Sequence, residues 1–331
     1  MSLALCSCSR NEKSKASAKK PRIKTESVTE SEPTDTTPEP QVSPDPTDTS
    51  ESTDETLSKG SEITSSYDCE VETLAPHEVP DYVYQEITIE DTEILNQEGL
   101  SVHVYGFKLG TGTNRSLLMR VDNQTGHPVK LDLQKMKVDG FCEIPMWMME
   151  FENGTTTECE LEFFLTVGDY IGLWNPGKIE LLFEVKYTDT ESTYKTALLP
   201  VYTSAYDETK TYEFPYALVI YDADGVKISV LEYELTKRGD AYLRFIIENN
   251  SDKEIVVREE ESLINGVPVE LSMFDMMDPG DKAITYTSIL ASKLSDAKIT
   301  QIKTIGMILS IEFDHDYNTQ IKTEPFTISV E

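Results

Sequence analysis

Asp222-Ala-Asp224-Gly225 has the opening spacing of a calcium-binding loop, and Asp314-His-Asp316 sets two more carboxylates two residues apart. An EF-hand loop needs further oxygens and a bidentate Glu at its twelfth position. After Gly225 the chain instead passes straight into Val226-Lys-Ile-Ser-Val230, an alternating strand, so both sites are read as turn chemistry. No metal ligand is assigned. The four histidines (His77, His103, His127, His315) stand apart from any Ser or Cys in a nucleophile motif. Neither His-Glu-x-x-His, Gly-x-Ser-x-Gly nor a Gly-rich phosphate loop occurs. The expectation is a chain without enzymatic activity, with no catalytic residue and no cofactor.

Five cysteines are the next reactive groups, and none falls in a Cys-x-x-Cys pair. Cys142 and Cys159 are the candidates for a disulfide, subject to the narrow geometry such a bond requires. Two methionine-rich runs, Met146-Trp147-Met148-Met-Glu-Phe151 and Met273-Phe274-Asp-Met-Met277, hold six of the ten methionines. Soft side chains of this kind form adaptable binding surfaces. They equally suit an irregular crossover that plugs the open end of a sandwich. Asn123 and Asn249 begin formal glycosylation sequons, but both precede turns and are read as Asx-type turn formers.

What positions these residues is a repeat of 126 residues. The stretch 115–140 recurs without a gap at 241–266, with Leu117, Asn123 and Gly140 answered by Leu243, Asn249 and Gly266. Each copy reads as an apolar strand, a polar turn, a second strand, and an Asp-Gly or Asn-Gly turn. Ile305, Met307, Leu309, Ile311 and Phe313 alternate along one face, the period of a half-buried antiparallel strand. After Gly225 the apolar phase runs Val226, Ile228, Val230 and then slips by one to Leu231, Tyr233, Leu235. After Gly99 the same slip falls between Val104 and Tyr105. A one-residue slip requires a bulge or a change of sheet, as in an edge strand that kinks between sheets.

Candidate strands in the second copy are 217–222, 226–235, 241–249, 254–263, 281–290, 304–313 and 319–330, with short helices at Ser292–Ile302 and, in the first copy, Thr166–Trp174. Seven short strands punctuated by turns describe an immunoglobulin-like sandwich. The predicted fold is all-β: two tandem immunoglobulin-like domains, residues 81–205 and 206–331, behind a disordered N-terminal stalk. Residues 84–331 resemble the tandem immunoglobulin-like modules of uncharacterised lipoproteins from Gram-positive gut bacteria. They are also similar in pattern to a secreted mycobacterial immunoprotective antigen. That family brings no catalytic residues to carry over.

The stalk is residues 9–80. Residues 10–24 carry seven basic side chains against Glu12, and from Thr25 to Pro80 there are 15 acids and one lysine among Ser, Thr and Pro. Tyr67 is its one aromatic residue. Such a tract buries too little apolar area to offset its conformational entropy, so it is expected to be disordered. Before it, Leu5-Cys6-Ser7-Cys8 resembles the end of a bacterial lipoprotein signal peptide. The resemblance implies that residues 1–8 are the remnant of that peptide and that Cys8 is the lipidated residue. A basic run beside a lipid anchor adds attraction to anionic headgroups.

A formal charge of −31 argues against nucleic acid as a partner. The expected function is that of a lipoprotein held on the outer face of a bacterial cell membrane by its lipid anchor, with tandem modules for binding, adhesion or spacing. Its partner would be an extracellular protein or glycan. The alternatives are an extracytoplasmic hydrolase built on carboxylates, or an intracellular scaffold if the N-terminal cysteines are incidental.

Overall fold

The computed structural model of the chain describes residues 67, 69–74, 85–110, 114–164 and 175–330. Cys8, the tract 9–66 and the expected helix Thr166–Trp174 lie outside the described residues.

Period-two alternation becomes strand almost everywhere. A first strand, β1 (Val71–Thr73), precedes two similar series. The first half holds β2 (Thr92–Gln97), β3 (Leu100–Leu109), β4 (Asn114–Asn123), β5 (Val129–Val138), β6 (Phe141–Glu143), β7 (Met148–Phe151), β8 (Thr155–Phe164), β9 (Lys178–Tyr187), β10 (Thr193–Lys195) and β11 (Leu199–Tyr202). The second half holds β12 (Leu218–Ala223), β13 (Val226–Leu235), β14 (Ala241–Asn249), β15 (Ile255–Ile264), β16 (Val267–Pro268), β17 (Phe274–Met277) and β18 (Lys282–Ile289). It ends with the short helix α1 (Ala291–Asp296), β19 (Thr304–Phe313), β20 (Asp316–Lys322) and β21 (Phe326–Ser329). The expected strand 319–330 is two strands, broken before Pro325, where Thr323 leaves the ladder and its hydroxyl accepts the Leu309 amide.

These strands build three sheets. One is β2-β3-β4-β8, the first half's own. A second follows the path β1-β21-β19-β15-β16, with β17 on β15 and β20 on β19. The third is shared, running β10-β9-β5-β6-β18-β14-β13-β12. Its centre is a parallel pair between the halves, Phe141 with Lys282 and Cys142 with Ala283. The halves are therefore joined by backbone hydrogen bonds, and residues 61–331 make one compact unit.

Each half keeps its own core, and the two cores lie on opposite faces of the shared sheet. Met136 and Val138 point into the first core. Lys137 between them must point the other way, as strand side chains alternate. Its cross-strand partner Cys142 shares that face and packs against the second core. Phe141, the neighbour of Cys142, returns to the first face and buries against Leu231 and Ile246.

The phase slips are register shifts within the sheets. Pairing of β3 with β4 skips Tyr105, and pairing of β13 with β14 skips Leu231. Neither strand is at an edge and neither changes sheet, which corrects the expectation of a kinking edge strand. Turn geometry also recurs at a spacing of 126. Gly99 and Gly225 have φ of +88° and +76°, and each carbonyl accepts the amide of Gln124 or Asn250. A Cβ on Gly99 would lie 2.8 Å from the Gln124 carbonyl oxygen, so the close approach requires glycine.

One structural expectation is corrected by β1. It runs parallel to β21, with Val71, Glu72 and Thr73 opposite Thr327, Ile328 and Ser329. The expected disordered tract thus contains an ordered strand. The signal was Tyr67: its ring lies against Gly306 of β19, where a Cβ would meet it at 3.0 Å.

Candidate functional site

The residues that the repeat singles out are structural. Asn123 and Asn249 are both fully buried. Asn123 Oδ1 accepts the amide and hydroxyl of Thr125 (3.1 and 2.8 Å), while its Nδ2 donates to the carbonyls of His127 and Phe151 (both 2.9 Å). Asn249 repeats this set with Ser251, Lys253 and Met277. Each side chain thus knots a turn to the crossover strand, β7 or β17. Gly140 and Gly266 have φ of +90° and +76°, following Asp139 and Asn265, which are also left-handed. Asp139 Oδ1 accepts the amides of Gly177 and Lys178, and Asn265 Oδ1 those of Lys303 and Thr304.

The polar chemistry of the molecule concentrates where the halves meet. Asp281, 4% exposed, receives Lys137 Nζ at 2.7 Å on one oxygen and Lys135 Nζ at 2.8 Å on the other. Asp278 contacts Lys135 as well. Burial pushes the Asp281 carboxyl up, but the two ammonium groups outweigh it and hold it below the usual carboxylate range. Such a carboxylate stays charged and is a clamp, not a proton-transfer group.

On the opposite face, Phe141 is 2% exposed and meets Tyr212 and Phe214 edge-on, with centroids 5.6 and 6.1 Å apart. Lys282 Nζ lies 5.2 Å from the Phe141 ring and 5.5 Å from the Phe214 ring. Tyr212 donates its hydroxyl to Asp139 Oδ2 at 2.8 Å, tying the connecting segment to the Asp-Gly turn. Beside these aromatics opens a cleft of about 300 Å³, with Phe214, Lys227, Glu248 and Lys282 on its walls.

The two methionine-rich runs part company. Met146 and Met148 are 74% and 58% exposed, and Ile144 beside them is 72% exposed. Trp147 turns inward, packing on the first core and donating its Nε1 to the Glu160 carbonyl. In the second half Met273 and Met277 are buried in the core, which corrects their assignment to a binding patch. They face inward because β17 alternates and closes the open side of the sandwich. Phe274 alone of the three assigned there is outside, 53% exposed, under the Arg258 guanidinium at 4.6 Å.

The Cys142–Cys159 disulfide is likewise corrected: both thiols are free. Cys142 belongs to β6 in the shared sheet and packs toward the second core, whereas Cys159 belongs to β8 of a different sheet and packs on the first. Burial, with Asp281 nearby, pushes the Cys142 thiol up to about 12, and burial pushes Cys159 to about 11. Among the described residues no group of three His, Cys, Asp or Glu side chains is placed to hold a metal ion. The interhalf clamp and cleft were missed from the sequence. Lys135 and Lys137 alternate with Met136 and Val138 as on any half-buried strand, and no local pattern marks them.

No protein family and no curated protein matches the chain. Among solved structures, red sea bream transglutaminase is matched at 9% identity with a TM-score of 0.21. The match covers 71% of this chain and 32% of that one, so the chain spans about a third of the transglutaminase. That neighbour is an enzyme, and the expectation of a chain without enzymatic activity is withdrawn. At this TM-score the likeness carries no argument about activity.

Proposed function

We propose that this chain is a surface-tethered binding protein of two immunoglobulin-like sandwich modules, fused through a shared sheet and presenting the patch Ile144, Met146 and Met148 to an extracellular protein. The observation that carries the reading is that patch. Three large apolar side chains, each more than half exposed, stand on a body whose formal charge is strongly negative. Adaptable methionines on a rigid crossover suit protein recognition. Trp147 and the β5–β7 pairing hold the crossover in place from within.

The tether rests on the sequence at the N-terminus. Cys8 behind Leu5 and Ser7 fits lipidation, and the seven basic residues of 10–24 add attraction to an anionic membrane. In this reading the molecule sits on the outer face of a bacterial cell membrane, reached by the Ser/Thr/Pro-rich tract.

The test is expression in a Gram-positive host behind a complete lipoprotein signal peptide ending at Leu5-Cys6-Ser7. Wild type should partition into detergent and be digested by protease added to intact cells. Cys8→Ala should lose the partition. Equal partition of both proteins would end the anchor, and Met146→Asp with unchanged binding to a surface partner would end the patch.

A further inference from the structure

We infer that β1 is the point where pull on the N-terminal region enters the fold, loaded in shear against the last strand when the chain is held at its two ends, so that under this load the first half lies outside the path of force. The pairing carries this. β1 and β21 are neighbours and parallel, and β21 ends two residues before the C-terminus. The N-terminal region leaves from the start of β1 and the C-terminal residues from the end of β21, which are opposite ends of the pair. Tension between them slides the strands along each other, straining all their bridging hydrogen bonds together instead of opening them one by one.

Side chains add stops to the slide. The Tyr67 ring fits flush on Gly306, which has no Cβ to displace it. Cys69 Sγ lies 3.3 Å from Thr327 Oγ1. Leu74 packs against the second core. These contacts fall on the second half, while among the described residues the first half is next met at Gln85, whose amide meets Asn175. A load applied at the two ends therefore passes from β1 to β21. It reaches neither the first core nor the clamp of Lys135 and Lys137 on Asp281.

The first step under load is then release of β1 with both cores intact. Residues 67–84 would extend to at most roughly 60 Å, a reserve of reach for a tethered protein. Its purpose rests on the tethered reading, but the test does not need the lipid anchor, so loss of one leaves the other standing.

Full-length protein is pulled between handles at its two ends. The expected first step is shorter than about 60 Å and precedes unfolding of either half. Tyr67→Ala should shift that step to lower force and leave the later steps where they were. Gly306→Val should do the same by unseating the ring. Because a valine in β19 could also disturb folding, hydrogen exchange of the Tyr67→Ala protein gives a second reading. It should speed up at 69–74 and 327–329 and stay unchanged at 117–121. A first step that unfolds a whole half, or a Tyr67→Ala protein with unaltered first step and exchange, would overturn the inference.

Discussion

Lys137 of the first half and Asp281 of the second lie 2.7 Å apart across the shared sheet, and Lys135 reaches the other oxygen of the same carboxylate at 2.8 Å. Removing the carboxylate leaves the partly buried Lys137 ammonium without its charged partner, while Lys135 keeps only Asp278. Asp281→Asn should therefore cost about 3 kcal/mol, seen as a lower denaturation midpoint. A midpoint equal to wild type would show that the clamp contributes nothing net.

The same carboxylate gives a pH dependence with a definite sign. Asp281 is held below its ordinary value, so its contribution is present above about pH 4 and is lost as pH falls through its lowered folded value. Asp275 does the reverse. Burial raises it to about 6, with the Thr285 hydroxyl opposing, so its contribution is present below about pH 4 and is lost as pH rises through about 6. Melting temperature against pH should lose its fall between pH 4 and 6 in Asp275→Asn, and its acid limb should flatten in Asp281→Asn. A wild-type curve shape in either variant would refute the corresponding assignment.

Asn123 and Asn249 each satisfy two backbone carbonyls from a fully buried position. Replacing either with alanine takes the side-chain donor from the buried Phe151 or Met277 carbonyl, while His127 and Lys253 keep the Thr125 and Ser251 hydroxyls. The change should cost about 2 kcal/mol. Asn→Asp should fail to rescue, because a carboxylate cannot donate to a carbonyl. Rescue by aspartate would mean that only the turn-capping oxygen matters.

Phe141→Ala empties the aromatic seat under Tyr212 and Phe214 and should cost about 4 kcal/mol. Hydrogen exchange should quicken at 141–143 and 282–283, where the halves are bonded, before it quickens in either core. Uniform acceleration through both cores would indicate that Phe141 supports the whole unit and not the joint.

Cys142 and Cys159 should both be alkylated after denaturation without any reductant. Native protein near neutral pH should react slowly at each, because burial keeps both thiols protonated. Recovery of a disulfide-linked peptide pair would contradict their placement on separate sheets.

Much of the second half's ladder was legible because alternation and Asn-Gly or Asp-Gly turns are local signals. Gly99, Gly140, Gly225 and Gly266 all fall at left-handed turn positions for the reason their type suggests. The parallel joint at Phe141 and Lys282 was not legible: no local pattern reports a strand of three residues pairing with one 141 positions later. The inward turn of Met273 and Met277 was hidden in the same way, since methionine suits both a core and a contact surface. Tyr67 was visible as a lone aromatic in a polar tract, but composition averaged over the tract concealed the strand that follows it.

The edge strand β16 has a consequence for the joint between halves. In the first half the position after the Asp-Gly turn continues as Phe141-Cys142 and bonds the next module; in the second half it continues as Val267-Pro268. Proline has no amide hydrogen to give a neighbouring strand, and the lysines at 135 and 137 are replaced there by Glu261 and Leu263. The second half thus accepts a neighbour on one side, while at the place that corresponds to the joint Pro268 offers no amide hydrogen and the two lysines of the clamp are absent, so the same joint is disfavoured there.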